Sequence, residues 1–402
     1  MKSKYTEKQI ENALALYKET GNFTFVSKET GIPRSTIRDW CRLKDIHVEK
    51  KIPDSELARK RVKLQDENAR LIRENRSLLR QLNEKAFLDD FINDSFAKKP
   101  PAKTFKFKHE GGISAPEIPV LFHSDTQYGE VINLEDMDGL NSFDANICEK
   151  RMQRMFQKSI EFTTEHWAGP KPDTFFYLRG GDHISGGIHD ELAETDEKTS
   201  IESILEMAAI EKRGIDLIQQ ETGCKVIVYS VAGNHGRTTR RPRTKRYSAL
   251  NYDYLLAKML ENQFIGNKNV IFHTPQSGDA YFNIFDFWFL LTHGDRIGAR
   301  GGMGFLGPAA PIIRGMKKVI EEFSSQHRYV YKVLLGHFHT ALDLEYGLAN
   351  GCVPGPSEYS RSIMRAKPHP PSQWYFKVHP RHGITTTSKL YLGSPEEGRL
   401  YE

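Results

Sequence analysis

Cysteine is scarce in this chain. Cys41, Cys148, Cys224 and Cys352 lie far apart and no CxxC pair occurs. That excludes a disulfide framework and a zinc knuckle, and it reads as reduced thiols in a cytoplasmic protein. Also missing is any apolar run of the roughly 18–20 residues that a membrane span requires. The opening Met1-Lys2-Ser3-Lys4-Tyr5 leads into polar residues where a secretory signal would carry an apolar stretch, so no membrane partner is expected. Charged residues, at 27%, stay below the level of a disordered polyelectrolyte, which leaves a globular chain of 402 residues with room for two or three domains.

The charge that is present is unevenly placed. Residues 1–110 hold 25 Lys and Arg against 17 Asp and Glu, whereas the remainder holds 32 against 35. A basic front end on a near-neutral body points to a polyanion-binding module joined to something else, or to solvated helical faces.

The first 48 residues read as a compact helical domain. Thr6 can cap a helix carrying Ile10, Leu14, Leu16 and Tyr17 at helical spacing, and Gly21-Asn22 ends it. A short helix follows from about Thr24 to Thr30, then Gly31 as the turn, then a third helix opening near Pro33 with Ile37 and Trp40 facing inward. Arg34, Ser35, Thr36, Arg38 and Arg42 fall on its outer face. This is helix-turn-helix geometry, in which a recognition helix offers short polar and guanidinium groups to base edges and phosphates. The alternative is a three-helix protein-interaction module. Residues 54–95 change character: Leu57, Leu64, Leu71 and Leu78 repeat every seven, with Arg61, Asn68, Asn75 and Leu82 at the a positions of the same frame. That predicts a parallel coiled-coil homodimer, or else a long surface helix. Thr30 to Trp40 followed by the leucine repeat resembles the N-terminal DNA-binding unit of insertion-sequence transposases, which implies a dimer presenting two recognition helices to DNA.

Residues 96–117, with Lys98-Lys99-Pro100-Pro101 and Gly111-Gly112, read as a linker. Beyond it, over residues 118–402, short apolar runs alternate with helical stretches. Strands are expected at 118–123, 174–179, 225–231, 270–273, 280–292 and 330–335, and helices at 144–167, 200–221, 248–262 and 311–325. Alternation of this kind predicts an α/β sandwich.

Several of these strands run into polar clusters: Asp125-Thr126-Gln127, Gly180-Gly181-Asp182, Gly233-Asn234-His235, His293-Gly294-Asp295 and Gly336-His337-Phe338-His339. Mixed oxygen and nitrogen ligands offered from neighbouring strand ends make a site for two metals. The ordered set resembles the calcineurin-like metallophosphoesterases over about residues 118–355. The resemblance implies a four-layer α/β/β/α metallophosphoesterase sandwich. It implies one metal held by Asp125, Gln127, Asp182 and His339, and a second held by Asp182, Asn234, His293 and His337. It gives His235 the catalytic role of stabilising the transferred phosphoryl group or protonating the leaving oxygen. Manganese suits this donor set best; zinc, iron and nickel are the other metals considered. The chain departs from the common family pattern in having Gln127 where many members have His, and Gly236 where an acidic residue often follows Gly-Asn-His.

Immediately after His235, residues 237–246 hold six cations in ten positions. Arg237, Arg240 and Arg241 are the candidate substrate-binding residues there, since positive charge at the rim attracts a polyphosphate backbone. Residues 355–376, with Glu358, Tyr359, Arg361, Arg365 and Trp374, either line a substrate groove or pack in the core. The pairing of a helix-turn-helix with a phosphoesterase resembles proteins carried by phages and mobile elements, which would place it in a host cytoplasm. Three functions follow as expectations: a dimetal nuclease or phosphodiesterase directed to DNA; a phosphatase acting on a nucleotide or phosphoprotein; and a DNA-binding regulator whose phosphoesterase fold is inactive.

Overall fold

The computed structural model describes residues 5–48, 55–97, 116–167, 169–298, 309–363 and 367–398. The chain divides into two compact units, Met1–His109 and Glu110–Glu402.

The first unit is helical from local signals. Thr6 and Gln9 form a reciprocal capping box at the start of α1 (Glu7–Thr20), which Gly21 closes at φ 63°. The Asn22 side chain accepts from the amides of Thr24 and Phe25 to start α2 (Phe23–Thr30), and Gly31 closes that helix at φ 70°. Both glycines take the left-handed conformation that costs other residues about 1–2 kcal/mol. Pro33 then precedes α3 (Arg34–Leu43). Ala13, Leu14, Val26, Ile32, Ile37 and Cys41 are buried together as the core of the three helices. α4 (Ser55–Ala97) is one 43-residue helix, and Leu64, Leu71, Leu78 and Leu82 stand exposed on it. Of the linker expected at 96–117, residues 98–115 lie outside the described residues.

The second unit runs β1 (Ile118–His123), α5 (Ala145–Thr164), β2 (Thr174–Arg179), α6 (Asp190–Thr195), α7 (Ser200–Thr222), β3 (Lys225–Ser230), α8 (Tyr252–Gln263) and β4 (Val270–His273). It continues with β5 (Asp279–Ile284), β6 (Phe287–Thr292), α9 (Ala309–Ser325), β7 (Lys332–Leu335), β8 (Leu342–Leu344), β9 (Gly347–Ala349), β10 (Ser372–His379) and β11 (Gly383–Tyr391). One mixed sheet has the order β11-β10-β1-β2-β3-β4, with β1 to β4 parallel. The other has the order β5-β6-β7-β9-β8, with β6, β7 and β9 parallel.

Side-chain alternation sets the layers. Val120 and Phe122 of β1 point the same way as Phe176 and Leu178 of β2, into a core shared with Phe282, Phe289, Leu291 and Leu334 of the second sheet. Leu121, Phe175 and Tyr177 point the other way, onto Met152, Met155 and Phe156 of α5 and Met207 and Ile215 of α7. Leu290, Val333 and Leu335 cover Ile312 and Met316 of α9 on the far face of the second sheet. The layers are therefore helices, sheet, sheet, helix. Truncating a residue such as Phe122, which is fully buried between the sheets, is expected to cost about 3–5 kcal/mol.

One expectation needs correction. The single strand at 280–292 is a hairpin, β5 and β6, turned at Phe285, whose φ is 53°. Of the two readings open for Trp374, groove or core, the structure gives the core: it is in β10 beside β1, buried, with its indole N–H donating to Ala349 O at 2.8 Å. The apolar stretch of β10, Trp374-Tyr375-Phe376, is flanked by Ser372, Gln373 and Lys377, all buried, so the apolar run is only three residues long. Arg365 lies outside the described residues. Among the described residues no helix is long and apolar enough to cross a membrane.

Candidate metal centre

The residues that follow β1, β2, β3, β6 and β7 meet at one place. Their backbone shows what this convergence requires. Among the described residues ten non-glycine residues take positive φ, and five of them are candidate ligands: Asp125 (54°), Gln127 (46°), Asp182 (55°), His337 (69°) and His339 (51°). Each such conformation costs about 1–3 kcal/mol and persists only where the surroundings enforce it. Here they do. Asp125 N donates to Gly181 O at 3.0 Å, Gln127 N to Asp182 O at 3.0 Å, and Gly336 N to His293 O at 2.8 Å. Glycine permits the close approach. A Cβ at Gly233 would collide with the Asp182 carboxylate, and one at Gly336 with that of Asp125.

The candidate ligand atoms converge in two groups. His293 Nε2 lies 2.9 Å from Asp182 Oδ2 and 3.1 Å from Asn234 Oδ1. Atoms of Asp182, His293 and His337 all fall within 4.8 Å of one another. On the other side, His339 Nε2 is 3.4 Å from Asp125 Oδ1 and 3.0 Å from the Gln127 amide nitrogen. Turning that amide about would present its oxygen instead. The Asp125 carboxylate also accepts the His337 backbone N–H at 2.9 and 3.1 Å.

The chemistry of this donor set fits divalent cations. His293 Nδ1 is 2.8 Å from Gly180 O, so that nitrogen must carry a proton, and Nε2 faces two oxygens. A neutral ring would bring three electron-rich atoms together with nothing between them. Asp182 Oδ2 is buried, with His293 Nε2 at 2.9 Å and no other hydrogen-bond partner among the described residues. The charge balance in the absence of a cation is consistent with this. Burial alone would raise the Asp182 carboxyl, but the positive charge of His293 and His235 outweighs it and holds the group far below the usual carboxylate range. Burial pulls the His293 imidazole down, yet the Asp182 carboxylate beside it pushes it up to about 10. Burial brings His337 down to about 4, which leaves it a neutral ligand. A second cluster, His123, His183 and Glu211, is different. His123 is satisfied by Tyr177 OH at 2.7 Å and Thr126 Oγ1 at 2.6 Å, and both Glu211 oxygens accept from Arg179. It is largely a hydrogen-bonded layer, in which His183 Nε2 is the buried atom left without a partner.

His235 is not drawn into the ligand groups. Its backbone N–H donates to Asp182 Oδ1 at 2.7 Å and its Nδ1 lies 2.8 Å from Ser185 O, which commits that nitrogen as a donor. The basic segment after it is a loop closed at its neck, where Arg237 and Asn251 form a bridge and Tyr252 N donates to Gly236 O at 2.6 Å. Arg237 spends its guanidinium on the carbonyls of Asn234, Thr239 and Arg240. Arg240 pairs with Asp190, and Arg241 is exposed. In the first unit, Arg34, Ser35, Arg38 and Arg42 are exposed on α3 and Thr36 is half-buried. Arg34 reaches back to Thr24 Oγ1 at 3.4 Å, and Arg38 lies over the Phe23 ring.

Three residues absent from the sequence expectations support the centre. Asn350 Nδ2 and the Ser124 amide both donate to Gln373 Oε1, at 2.6 and 2.8 Å, which fixes the turn leading into Asp125. Asp253, buried at the start of α8, accepts from three backbone amides of the ligand loops. None sits in a motif, and only their contacts reveal them.

No family model matches the chain, and no curated protein matches it. Several solved structures are similar to it, among them these two. One is a single mutant of Vps29 from Entamoeba histolytica, 12% identical, covering 68% of this chain and 99% of its own, at a TM-score of 0.28. The other is a dimetal phosphatase from Danio rerio, 10% identical, covering 70% of this chain and 100% of its own, at 0.31. Neither score is high enough to support an inference, and the functional reading rests on the geometry of this chain.

Proposed function

We propose that the chain is a dimetal phosphoesterase, acting as a nuclease or phosphodiesterase that its N-terminal unit directs to DNA. The observation that carries the reading is the convergence of the candidate ligands on strained, left-handed turns around a buried carboxylate oxygen whose one close polar neighbour among the described residues is the His293 imidazole. Asp125, Gln127, Asp182 and His339 would hold one divalent cation, and Asp182, Asn234, His293 and His337 the other, with Asp182 shared. Two such cations supply Lewis-acid stabilisation of charge on a phosphoryl group and the acidity that makes water a nucleophile at neutral pH.

The chain's own residues supply the rest. Gly180 O and the Asp182 carboxylate fix the orientation of His293. Ser185 O holds His235 by Nδ1, leaving Nε2 to meet a phosphoryl oxygen or the leaving group. Arg241, Arg243, Lys245 and Arg246 are exposed, and among the described residues they form no ion pair, so the loop offers a positive field suited to a phosphodiester backbone. On α3, the arginines at 34, 38 and 42 recur at helical spacing beside Ser35 and Thr36, which suits phosphate and base-edge contacts in a major groove. The exposed leucines of α4 suit a homodimer that presents two such helices.

Hydrolysis of bis(p-nitrophenyl) phosphate, p-nitrophenyl phosphate and labelled DNA, with manganese and with excess chelator, tests the reading. Diester and DNA cleavage that the chelator abolishes is the expected result. Turnover of the monoester alone would make the protein a phosphatase, and turnover unchanged in chelator would remove the metals from the account.

A further inference from the structure

Asp253 is 1% exposed, and among the described residues no lysine, arginine or histidine pairs with it. A buried carboxylate without a counter-cation is costly unless hydrogen bonds satisfy it. Its partners are all backbone amides of the ligand loops. Oδ2 accepts from Asp182 N at 2.9 Å and from Gly233 N at 2.8 Å, and Oδ1 accepts from His183 N at 3.0 Å.

The residue two before it completes the grip. Asn251 Oδ1 accepts from Asp253 N at 2.8 Å, and Asn251 Nδ2 donates to Gly233 O at 2.7 Å. The segment 251–253 therefore holds Gly233 by its N–H and by its carbonyl, while the same carboxylate holds the peptides of Asp182 and His183. These are the turns that carry Asp182 and Asn234, one from β2 and one from β3. Position 236 fits the same picture. A Cβ there would collide with Asn251 Oδ1 and lie 3.0 Å from Asp253 Cγ. The chain thus has no room for an acidic residue directly after Gly-Asn-His, and a carboxylate reaches the loops from α8 instead.

We propose that Asp253, assisted by Asn251, is the positioning residue that sets the shared carboxylate of Asp182 against Asn234 so that two cations are bound as a pair. The inference rests on the dimetal reading above. Asp253 touches neither substrate nor cation; it acts through the backbone. Asparagine at 253 has nearly the same shape but turns one acceptor into an NH2 donor, which would face an amide N–H. Asp182 would then lose the support that fixes its peptide, while the sheets behind it stay packed.

The test uses the full-length protein stripped of metal and titrated with manganese, followed by calorimetry and by electron paramagnetic resonance. The wild type should bind two ions per chain and show a spin-coupled pair. Asp253→Asn should bind manganese about 10–100-fold more weakly, as loss of support behind a ligand typically does, and should show isolated ions in place of the coupled pair. Asn251→Ala keeps the carboxylate and removes the grip on Gly233 O together with the bond from Asp253 N. It should weaken binding of the pair less, and it serves if the first variant fails to fold. A folded Asp253→Asn protein, or an Asn251→Ala protein where the first does not fold, that binds both ions with wild-type affinity and keeps the coupled signal overturns the inference alone. A wild type that takes up no manganese overturns the dimetal reading and this inference with it.

Discussion

At the ends of β1, β2, β3, β6 and β7 the polar side chains are buried or half-buried, and each contact leads to another: Asp253 to Asp182, Asp182 to His293, His293 to Gly180. On α3 the polar side chains stand in solvent, and Arg34, Arg38 and Arg42 make few contacts within their own unit. The difference is physical. In a low-dielectric network the loss of one group leaves others unsatisfied, so substitutions there should be large and non-additive. On a solvated helix each group acts nearly alone, and salt screens it.

The contrast can be broken or sharpened in order of expected effect. Asp182→Asn should reduce hydrolysis to background, because in the proposed site its carboxylate would serve both cation positions; metal analysis should show the pair lost. Substantial turnover in that variant would break the picture of a shared ligand. His235→Ala should keep manganese near two per chain and slow turnover about 10²–10⁴-fold, more for a poor leaving group than for a good one. Loss of metal in that variant would move His235 into the ligand network.

The metal-free protein should also report on the network through pH. The His293 imidazole is raised from 6.5 to about 10 by Asp182, so its stabilisation is fully present below about pH 6.5 and is lost as pH rises through about 10. Asp182 is held low, so its contribution is lost only in strong acid. Calorimetric Tm of the metal-free protein should therefore fall between pH 7 and pH 10. The manganese-loaded protein should fall less, since there the imidazole would hold a cation in place of the proton.

On the helical side the effects should be smaller and more local. Leu64→Pro should break α4, at roughly 3 kcal/mol for proline inside a helix, and shift sedimentation of the full-length protein from dimer to monomer. Arg34→Ala with Arg38→Ala should weaken duplex binding by about 1–3 kcal/mol for each lost contact and flatten its salt dependence. Hydrolysis of a small diester should not change. Equal DNA binding by wild type and double variant at every salt concentration would make α3 a partner-docking surface.

The same contrast decides what could be read without coordinates. Thr6, Asn22, Gly21 and Gly31 announce helix ends through chemistry within three or four residues, and the strands at 118–123 and 174–179 are continuous apolar runs, so these elements were legible. The ligand clusters were legible because each sits at the end of such a run. β10 was not, because Gln373 and Lys377 bracket a run of only three apolar residues and its partner β1 lies more than 240 residues earlier in the chain. Asp253 was not, because an acidic residue in the first turn of a helix is ordinary there and only the fold brings it to the Gly181 and Gly233 turns. Nor does a run of six cations tell which guanidinium is spent on its own loop, as that of Arg237 is.

The most direct test of the account is the metal stoichiometry of the wild-type protein. Full-length chain, stripped with chelator and re-equilibrated with manganese, should hold two ions per chain by elemental analysis, and anomalous scattering from its crystals should place one beside Asp125 and His339 and the other beside His293 and His337. A crystal grown in manganese that shows no anomalous peak at these residues, with the protein folded and the metal in excess, would contradict it.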